Sequence, residues 1–185
     1  MKILWIDTET TGLSTAKHGI VSISALYDID NTEVSRFSAT MKPTGRVADQ
    51  IALDVNGFTR EQISTFHDWS RVLIDFISWL KEIDCKPCYF GGFCNNFDLR
   101  FVENWFKSCS ISSSFLEYID DKNLIDVHKI IKSSNHPKLL DFPNHKLATV
   151  AQGMMIEIVD YHTSLGDILA TREIYYKLIE LGVVK

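Results

Sequence analysis

The amino-acid sequence predicts a single α/β domain, and three observations lead to that prediction. A chain of 185 residues is long enough for one sizeable core and short for two domains. Strand-like segments near the N-terminus are followed by segments whose apolar residues recur at helical spacing. No internal repeat, low-complexity tract or linker divides the chain, so one domain is expected over residues 1–185.

The first predicted strand is the dense apolar run at residues 3–6, which is typical of a strand buried on both faces. Two further strands, at residues 20–29 and 33–41, are expected to form a hairpin through Asp30 and Asn31. Three strands in succession make the predicted sheet partly antiparallel.

Later segments alternate between helical spacing and short apolar runs. The apolar pattern predicts an amphipathic helix over residues 69–80. Asn95 and Asn96 are suitable N-caps for a second helix, and a further helix is expected over residues 164–181. The other predicted elements are helices at residues 60–64 and 145–152 and strands at residues 88–93 and 124–125.

Composition and charge argue against several classes of protein. A formal net charge of -5 argues against a protein that coats nucleic acid through bulk positive charge. A metal nuclease remains compatible, because bound cations mask its acids. No basic and apolar leader and no apolar stretch of about 20 residues is present, so we expect a cytoplasmic protein without membrane contact. The four cysteines lack zinc-site or redox spacing and are expected to be reduced thiols.

An acidic pair follows the first apolar run. Because side chains alternate along a strand with a rise of about 3.3 Å per residue, Asp7 and Glu9 should project from one face roughly 7 Å apart. Two such carboxylates repel each other, and a divalent cation between them is the simplest functional reason for this placement. The pair by itself slightly favours the plainer interpretation, a strand end whose acids face water.

Two further acids lie where helices are predicted to begin. Asp98 falls in the first turn of one helix, and Asp167 opens another helix five residues after His162. Unpaired backbone N–H groups and the helix dipole help to keep such acids ionised, which suits a metal ligand and equally a structural cap. A single first-turn aspartate is more often a cap, but the joint pattern with the Asp-x-Glu strand end favours a metal site.

At this point the chain resembles the DEDD superfamily of 3′–5′ exonucleases. The resemblance is to the histidine-bearing branch, which includes the proofreading subunits of bacterial replicative polymerases. It covers nearly the whole chain in the family's order: IDTETTGL at residues 6–13, NFDLRF at residues 96–101 and HTSLGD at residues 162–167. Weaker similarities lie at residues 56–59, 125–126 and 146–151.

The resemblance implies a ribonuclease H-like fold with a mixed five-stranded sheet flanked by helices. It also implies two Mg²⁺ or Mn²⁺ ions, whose ligands would be the acids Asp7, Glu9, Asp98 and Asp167. Two cations about 4 Å apart can orient a water, polarise the scissile phosphate and offset charge on the leaving 3′ oxygen. In the same resemblance His162 is the general base that takes the proton of the water.

The resemblance further implies a site for a terminal nucleotide beside the metals. Backbone contacts and an apolar wedge are implied at Thr8, Thr10, Thr11, Gly12 and Leu13. Phe58 and Phe101 are candidates for stacking on bases, although an aromatic side chain is by itself more typical of a core. The implied partner is single-stranded nucleic acid with a free 3′ end, DNA ahead of RNA, with a polymerase or other replication protein as a tether.

Three other functions stay open at the level of sequence. A 3′–5′ exoribonuclease would keep the chemistry, because discrimination depends on how the pocket treats a 2′-hydroxyl group. An inert nucleic-acid or polymerase-binding module would usually have lost a ligand, whereas the four acids and the histidine are all present. An aspartyl phosphatase would use Asp7 as nucleophile, but Glu9 replaces its second aspartate. The leading expectation is an exonuclease that acts in DNA replication, proofreading or repair.

Overall fold

The computed structural model describes residues 1–44, 47–109 and 114–184, and all statements of structure concern these ranges. An initial run of three strands is followed by helices with three further strands between them, and four helices in succession come last. In chain order the strands and α-helices are β1 (Lys2–Thr10), β2 (Ile20–Ile29), β3 (Thr32–Lys42), α1 (Gln50–Asn56), α2 (Arg60–Thr65), β4 (His67–Asp68), α3 (Trp69–Glu82), β5 (Cys88–Gly92), α4 (Asn96–Lys107), β6 (Ile119–Asp126), α5 (Val127–Ser133), α6 (Pro137–Leu140), α7 (Leu147–Gly153) and α8 (Ser164–Glu180).

The strands form one mixed sheet in the order β4-β3-β2-β1-β5-β6. β1, β2 and β3 are antiparallel neighbours, and the turn between β2 and β3 places Asp30 and Asn31 at positive φ, as a tight hairpin turn requires. β5 runs parallel to β1, and β6 runs parallel to β5. The carboxyl ends of these three strands therefore lie at the same edge of the sheet.

The mixed sheet is confirmed, but the predicted count of five strands was wrong, because the sheet has six strands within the described ranges. The added strand, β4, is two residues long and pairs with the end of β3. A segment that short contains no alternating apolar pattern. β6 also begins at Ile119, earlier than predicted. Its residues 120–123 are polar, and 121–123 are exposed, so this part of the strand gives no apolar strand signal.

The apolar core lies on both faces of the sheet. The side chains of Ile3, Leu4, Trp5 and Ile6 on β1 are fully buried and alternate between the faces. Leu4 and Ile6 pack in one cluster with buried residues of α3 and α4. Ile3 and Trp5 pack in the other cluster, with residues of α7 and α8. Helices cover both faces, as the apolar run predicted. In the described ranges, no helix combines the length and apolar character needed to cross a membrane.

A buried ion pair fixes α8 against the sheet. Asp28 on β2 is fully buried and accepts hydrogen bonds from Arg172 Nε at 2.7 Å and from Trp5 Nε1 at 3.0 Å. The hydroxyl of Tyr176 on α8 donates to the same carboxylate. Because several donors satisfy this buried charge, the register of α8 against β1 and β2 is closely determined.

Gly91 on β5 allows the central strands to pack around Trp5. A Cβ atom at Gly91 would overlap the indole ring of Trp5, which is fully buried and hydrogen-bonded to Asp28. Because the ring is fully buried, it can move only by displacing its neighbours. We expect Gly91→Ala to lower the free energy of unfolding by about 1–3 kcal/mol, measured by urea denaturation. An unchanged denaturation midpoint would contradict this account of the packing.

Candidate active site

Three carboxylates converge at the edge of the sheet where β1 ends. One oxygen each of Asp7, Glu9 and Asp167 lies within 4.8 Å of the other two. Asp7 and Glu9 share one face of β1, and Asp167 lies in the first turn of α8. The sequence-predicted acids of the first and third motifs therefore meet in space.

The start of α8 is held in a defined position by its local sequence. The Thr163 hydroxyl accepts a hydrogen bond from the Gly166 N–H at 3.1 Å and so caps the helix. A Cβ atom at Gly166 would collide with the carbonyl oxygens of Val159 and Asp160. The glycine thus allows the preceding loop to lie directly on the first turn, which carries Asp167.

Asp98, the fourth predicted ligand, lies beside this group without belonging to it. Its Oδ1 atom accepts hydrogen bonds from the Thr8 backbone N–H at 3.0 Å and from the Thr8 hydroxyl at 2.7 Å. The residue is 3% exposed, and its burial raises the pKa of the carboxyl, which the two hydrogen bonds from Thr8 oppose. Asp98 therefore adds negative charge next to the three converging acids, with one oxygen already bonded.

Burial and mutual repulsion make the converging acids hard to ionise. Burial, followed by repulsion from Asp98, Glu9 and Asp167, raises the pKa of Asp7 well above its usual range. Burial and the nearby Asp167 and Asp98 raise the pKa of Glu9 to about 7. Burial raises the pKa of Asp167 to about 6, opposed by the backbone N–H and the charge of His162. Nearby positive charge would relieve this repulsion.

The donor set fits a hard divalent cation. Oδ1 of Asp167 is buried and accepts no hydrogen bond from any described residue. Such an oxygen is expensive to bury unless a cation or another donor satisfies it. The carboxylate oxygens of the cluster are the ligands that Mg²⁺ and Mn²⁺ prefer.

His162 lies next to Asp167, at the solvent side of the cluster. Its ring is exposed, and its centroid lies 3.9 Å from that of the neighbouring Tyr161 ring. The backbone of His162 has a φ of 63°, a left-handed conformation that a non-glycine residue adopts only where its surroundings determine it. The loop before α8 thus presents an accessible imidazole beside the acids.

A cavity of about 620 Å³, which we call the apolar cleft, opens beside Glu9. Its walls are formed by the strand end and following loop on one side and by α1 and the start of α4 on the other. The large apolar side chains that line it are Leu13, Ile51, Val55 and Phe97. Thr8, Thr10 and Gly12 also line it, whereas Thr11 is fully buried and donates its hydroxyl to Val47 O at 3.0 Å.

The two predicted stacking aromatics lie away from the apolar cleft. Phe101 is 2% exposed and belongs to the core, so its ring offers no face to a base. Phe58 packs on Phe66 and lines a separate groove next to α2. The aromatic residue that lines the cleft is Phe97, whose ring centroid lies 4.8 Å from that of Phe101.

Sequence reasoning missed part of the cleft. Phe97 directly precedes Asp98 in the second motif, so its position beside the acids was open to prediction from the sequence. Ile51 and Val55 had no such signal, because α1 is only seven residues long and gives no extended periodic pattern. These two side chains lie in the cleft because of where α1 packs.

A family model described as Exonuclease, RNase_T, matches residues 4–175. Among curated relatives, the chain is 24% identical over 179 residues to the PolC-type DNA polymerase III of Oceanobacillus iheyensis. It is 22% identical over 182 residues to the PolC-type DNA polymerase III of Staphylococcus aureus. These matches cover 97% and 96% of this chain, but only 11% and 12% of the polymerases.

Solved structures share the fold. Escherichia coli exonuclease I in complex with a dT13 oligonucleotide matches with a TM-score of 0.77 at 17% identity, over 96% of this chain and 40% of that one. The zinc-bound form of the E. coli exonuclease I–ssDNA complex matches with a TM-score of 0.81 at 16% identity, over 97% and 40%. This likeness confirms the ribonuclease H-like fold.

Since the family model spans most of the sequence, the chain belongs to the RNase_T exonuclease family of the DEDD superfamily.

Proposed function

We propose that this protein is a metal-dependent 3′–5′ exonuclease that releases nucleoside monophosphates from single-stranded DNA or unpaired 3′ termini. The observation that carries the proposal is the convergence of Asp7, Glu9 and Asp167 within 4.8 Å beside the apolar cleft. The polymerase relatives and the exonuclease I complexes with oligonucleotides support DNA as the substrate. Proofreading or repair, with a polymerase as partner, is the corresponding role.

Asp7, Glu9 and Asp167 would hold two Mg²⁺ or Mn²⁺ ions, and Asp98 would add a fourth carboxylate near them. When bound, such ions supply Lewis-acid activation of a water and stabilise charge on the phosphate and on the leaving 3′ oxygen. The exposed imidazole of His162 takes the proton of the attacking water, since it lies next to Asp167 and is open to solvent. The attack forms a bond from the water oxygen to phosphorus and breaks the bond from phosphorus to the 3′ oxygen. That oxygen takes a proton from solvent and remains on the shortened strand as its new 3′-hydroxyl group.

The apolar cleft would hold the base of the 3′-terminal nucleotide. Aliphatic and aromatic side chains contact the flat faces of any base, so such a site accepts all four nucleotides. Leu13, which is 84% exposed, and Phe97 are two of the apolar side chains that line the cleft. Binding there would place the last phosphodiester bond next to Glu9, which lines the same cavity.

Degradation of end-labelled DNA and RNA oligonucleotides, with Mg²⁺, with Mn²⁺ and with a chelator, tests the proposal. We expect the DNA to shorten from its 3′ end one nucleotide at a time with either ion, and no reaction with chelator. Release of inorganic phosphate alone would indicate a phosphatase, and no degradation under any condition would indicate a binding module. Faster digestion of RNA than of DNA would change the substrate class but keep the chemistry.

The raised pKa values predict how the metal-free protein responds to pH. Glu9 and Asp167 bind protons more tightly in the folded state than in the unfolded chain. Their stabilising contribution is therefore complete below about pH 4 and is lost as the pH rises through 6 to 7. We expect the free energy of unfolding without metal to fall by on the order of 1–3 kcal/mol between pH 5 and pH 8.

Thermal unfolding followed across this pH range measures the effect. Added Mg²⁺ or Mn²⁺ should raise the melting temperature more at pH 8 than at pH 5, since ligand carboxylates must lose their protons to bind metal. A melting temperature that is insensitive to both ions at pH 8 would contradict the assignment of the acids as a metal site.

A further inference from the structure

Two walls of the apolar cleft come from separate segments of the chain. Leu13 lies on the loop between β1 and β2, while Ile51 and Val55 lie one helical turn apart on α1. Ile51 is 80% exposed and Val55 is 54% exposed, so neither contributes fully to the core. A cluster of large exposed apolar side chains around one cavity is a feature of binding sites. The distance between Leu13 on one wall and Ile51 and Val55 on the other then determines which ligands the cleft can bind.

A buried histidine, His18, links the two walls. His18 is 5% exposed, and its Nδ1 atom accepts a hydrogen bond from the Ser14 N–H at 3.1 Å. Nδ1 is thus an acceptor, which leaves Nε2 to carry the ring hydrogen, and Nε2 lies 3.2 Å from Asp49 Oδ2. Asp49 immediately precedes α1 and also donates its backbone N–H to Thr11 O at 2.8 Å.

The loop is shaped to accommodate this ring. A Cβ atom at Gly12 would lie 2.5 Å from Cε1 of His18, so only glycine allows the chain to cross the imidazole there. The backbone N–H of His18 donates to Ser14 O at 2.8 Å, which closes the loop around its own side chain. The loop that carries Leu13 therefore packs at Gly12 on a ring whose Nε2 atom contacts Asp49, the residue before α1.

We infer that His18, acting through Asp49, is a positioning residue that sets the width of the apolar cleft and so its grip on the base of the 3′-terminal nucleotide. The inference rests on the proposed function. It concerns the base and not the reacting phosphate, because neither residue belongs to the acid cluster. Loss of the His18–Asp49 contact should weaken substrate binding and leave the chemical step almost unchanged.

Asp49→Ala is the most direct test of the His18–Asp49 contact. The Asp49 side chain makes no capping hydrogen bond to α1 and is 54% exposed, so its removal breaks the contact with His18 without removing a helix cap. His18→Asn is the second variant, because its amide oxygen can still accept from the Ser14 N–H while the side chain is too short to reach Asp49. Asp54→Ala is the matched control, as Asp54 lies on the same helix outside the cleft.

Each variant is assayed for kcat and KM on two DNA oligonucleotides that differ only at the 3′ end, one with a terminal base and one with a terminal abasic residue. On the substrate with a base, we expect Asp49→Ala and His18→Asn to raise KM about fivefold with kcat within about twofold. On the abasic substrate, both should match the wild type, and Asp54→Ala should match it on both.

Two results would overturn the inference: unchanged KM in both variants, or an equal rise in KM on the abasic substrate, which would indicate general disorder of the site. Melting temperatures near that of the wild type exclude misfolding as the cause of a rise in KM. A wild-type protein that digests neither oligonucleotide overturns the proposed function itself, and the inference with it.

Discussion

Replacement of Asp7 by Asn is expected to reduce Mg²⁺-dependent cleavage on the order of 10³-fold while the metal-free protein becomes more stable. Asp7 is repelled by the nearby carboxylates of Glu9, Asp98 and Asp167. The Asn side chain has nearly the same shape as Asp but carries no charge. It therefore removes the repulsion and also removes one charged oxygen ligand for the metal. Opposite effects on activity and stability are typical of a site arranged for a cation.

The stability change is measured by chemical denaturation at pH 8 in the presence of chelator. We expect an increase in the free energy of unfolding of on the order of 1–2 kcal/mol. Asp54→Asn, on the exposed surface of α1, should change neither activity nor stability. If Asp7→Asn digested DNA with Mg²⁺ as fast as the wild type, the acids would not be the catalytic metal ligands.

His162→Ala is expected to lower kcat by about 10²–10⁴-fold and to leave KM within about threefold of the wild type. The imidazole is exposed next to Asp167 and serves the proposed reaction only by accepting a proton. The fold should persist, since the side chain contributes nothing to the core. Steady-state kinetics on a single-stranded oligonucleotide measure both constants.

The His162→Ala variant also distinguishes a role of His162 as general base from a role as metal ligand. Mg²⁺ should raise the melting temperature of His162→Ala as much as that of the wild type, because the carboxylates are intact. A lost metal response would mean that His162 binds the ion, and full activity would mean that another group takes the proton. His67→Ala is the control variant, because His67 is an exposed histidine on β4.

The local part of the site was predictable from the sequence. Asp7 and Glu9 follow an apolar run, and strand alternation places them on one face. Asp98 and Asp167 both lie in the first turns of their helices, as predicted, although the Asn95 side chain makes no capping hydrogen bond to α4. Each of these features depends on a few neighbouring residues, so tertiary packing did not alter them.

The aromatic residues show where prediction from the sequence ended. Phe97 and Phe101 are one helical turn apart on α4, and the second motif does not distinguish them. Packing against the core buries Phe101 and leaves Phe97 at the cleft. Which ring faces a ligand depends on the rotation of α4 against the sheet, and that rotation is set by the whole core.

By itself, the sequence determined the central strand, the main helices and the acids at their ends, because periodicity and capping are properties of neighbouring residues. Only the tertiary structure decided that three of the acids converge while Asp98 accepts a hydrogen bond from Thr8. It also decided that α1 and the loop between β1 and β2 enclose a cleft beside the acids. Those outcomes depend on how segments far apart in the chain pack together, and their relative positions are not encoded in any local pattern.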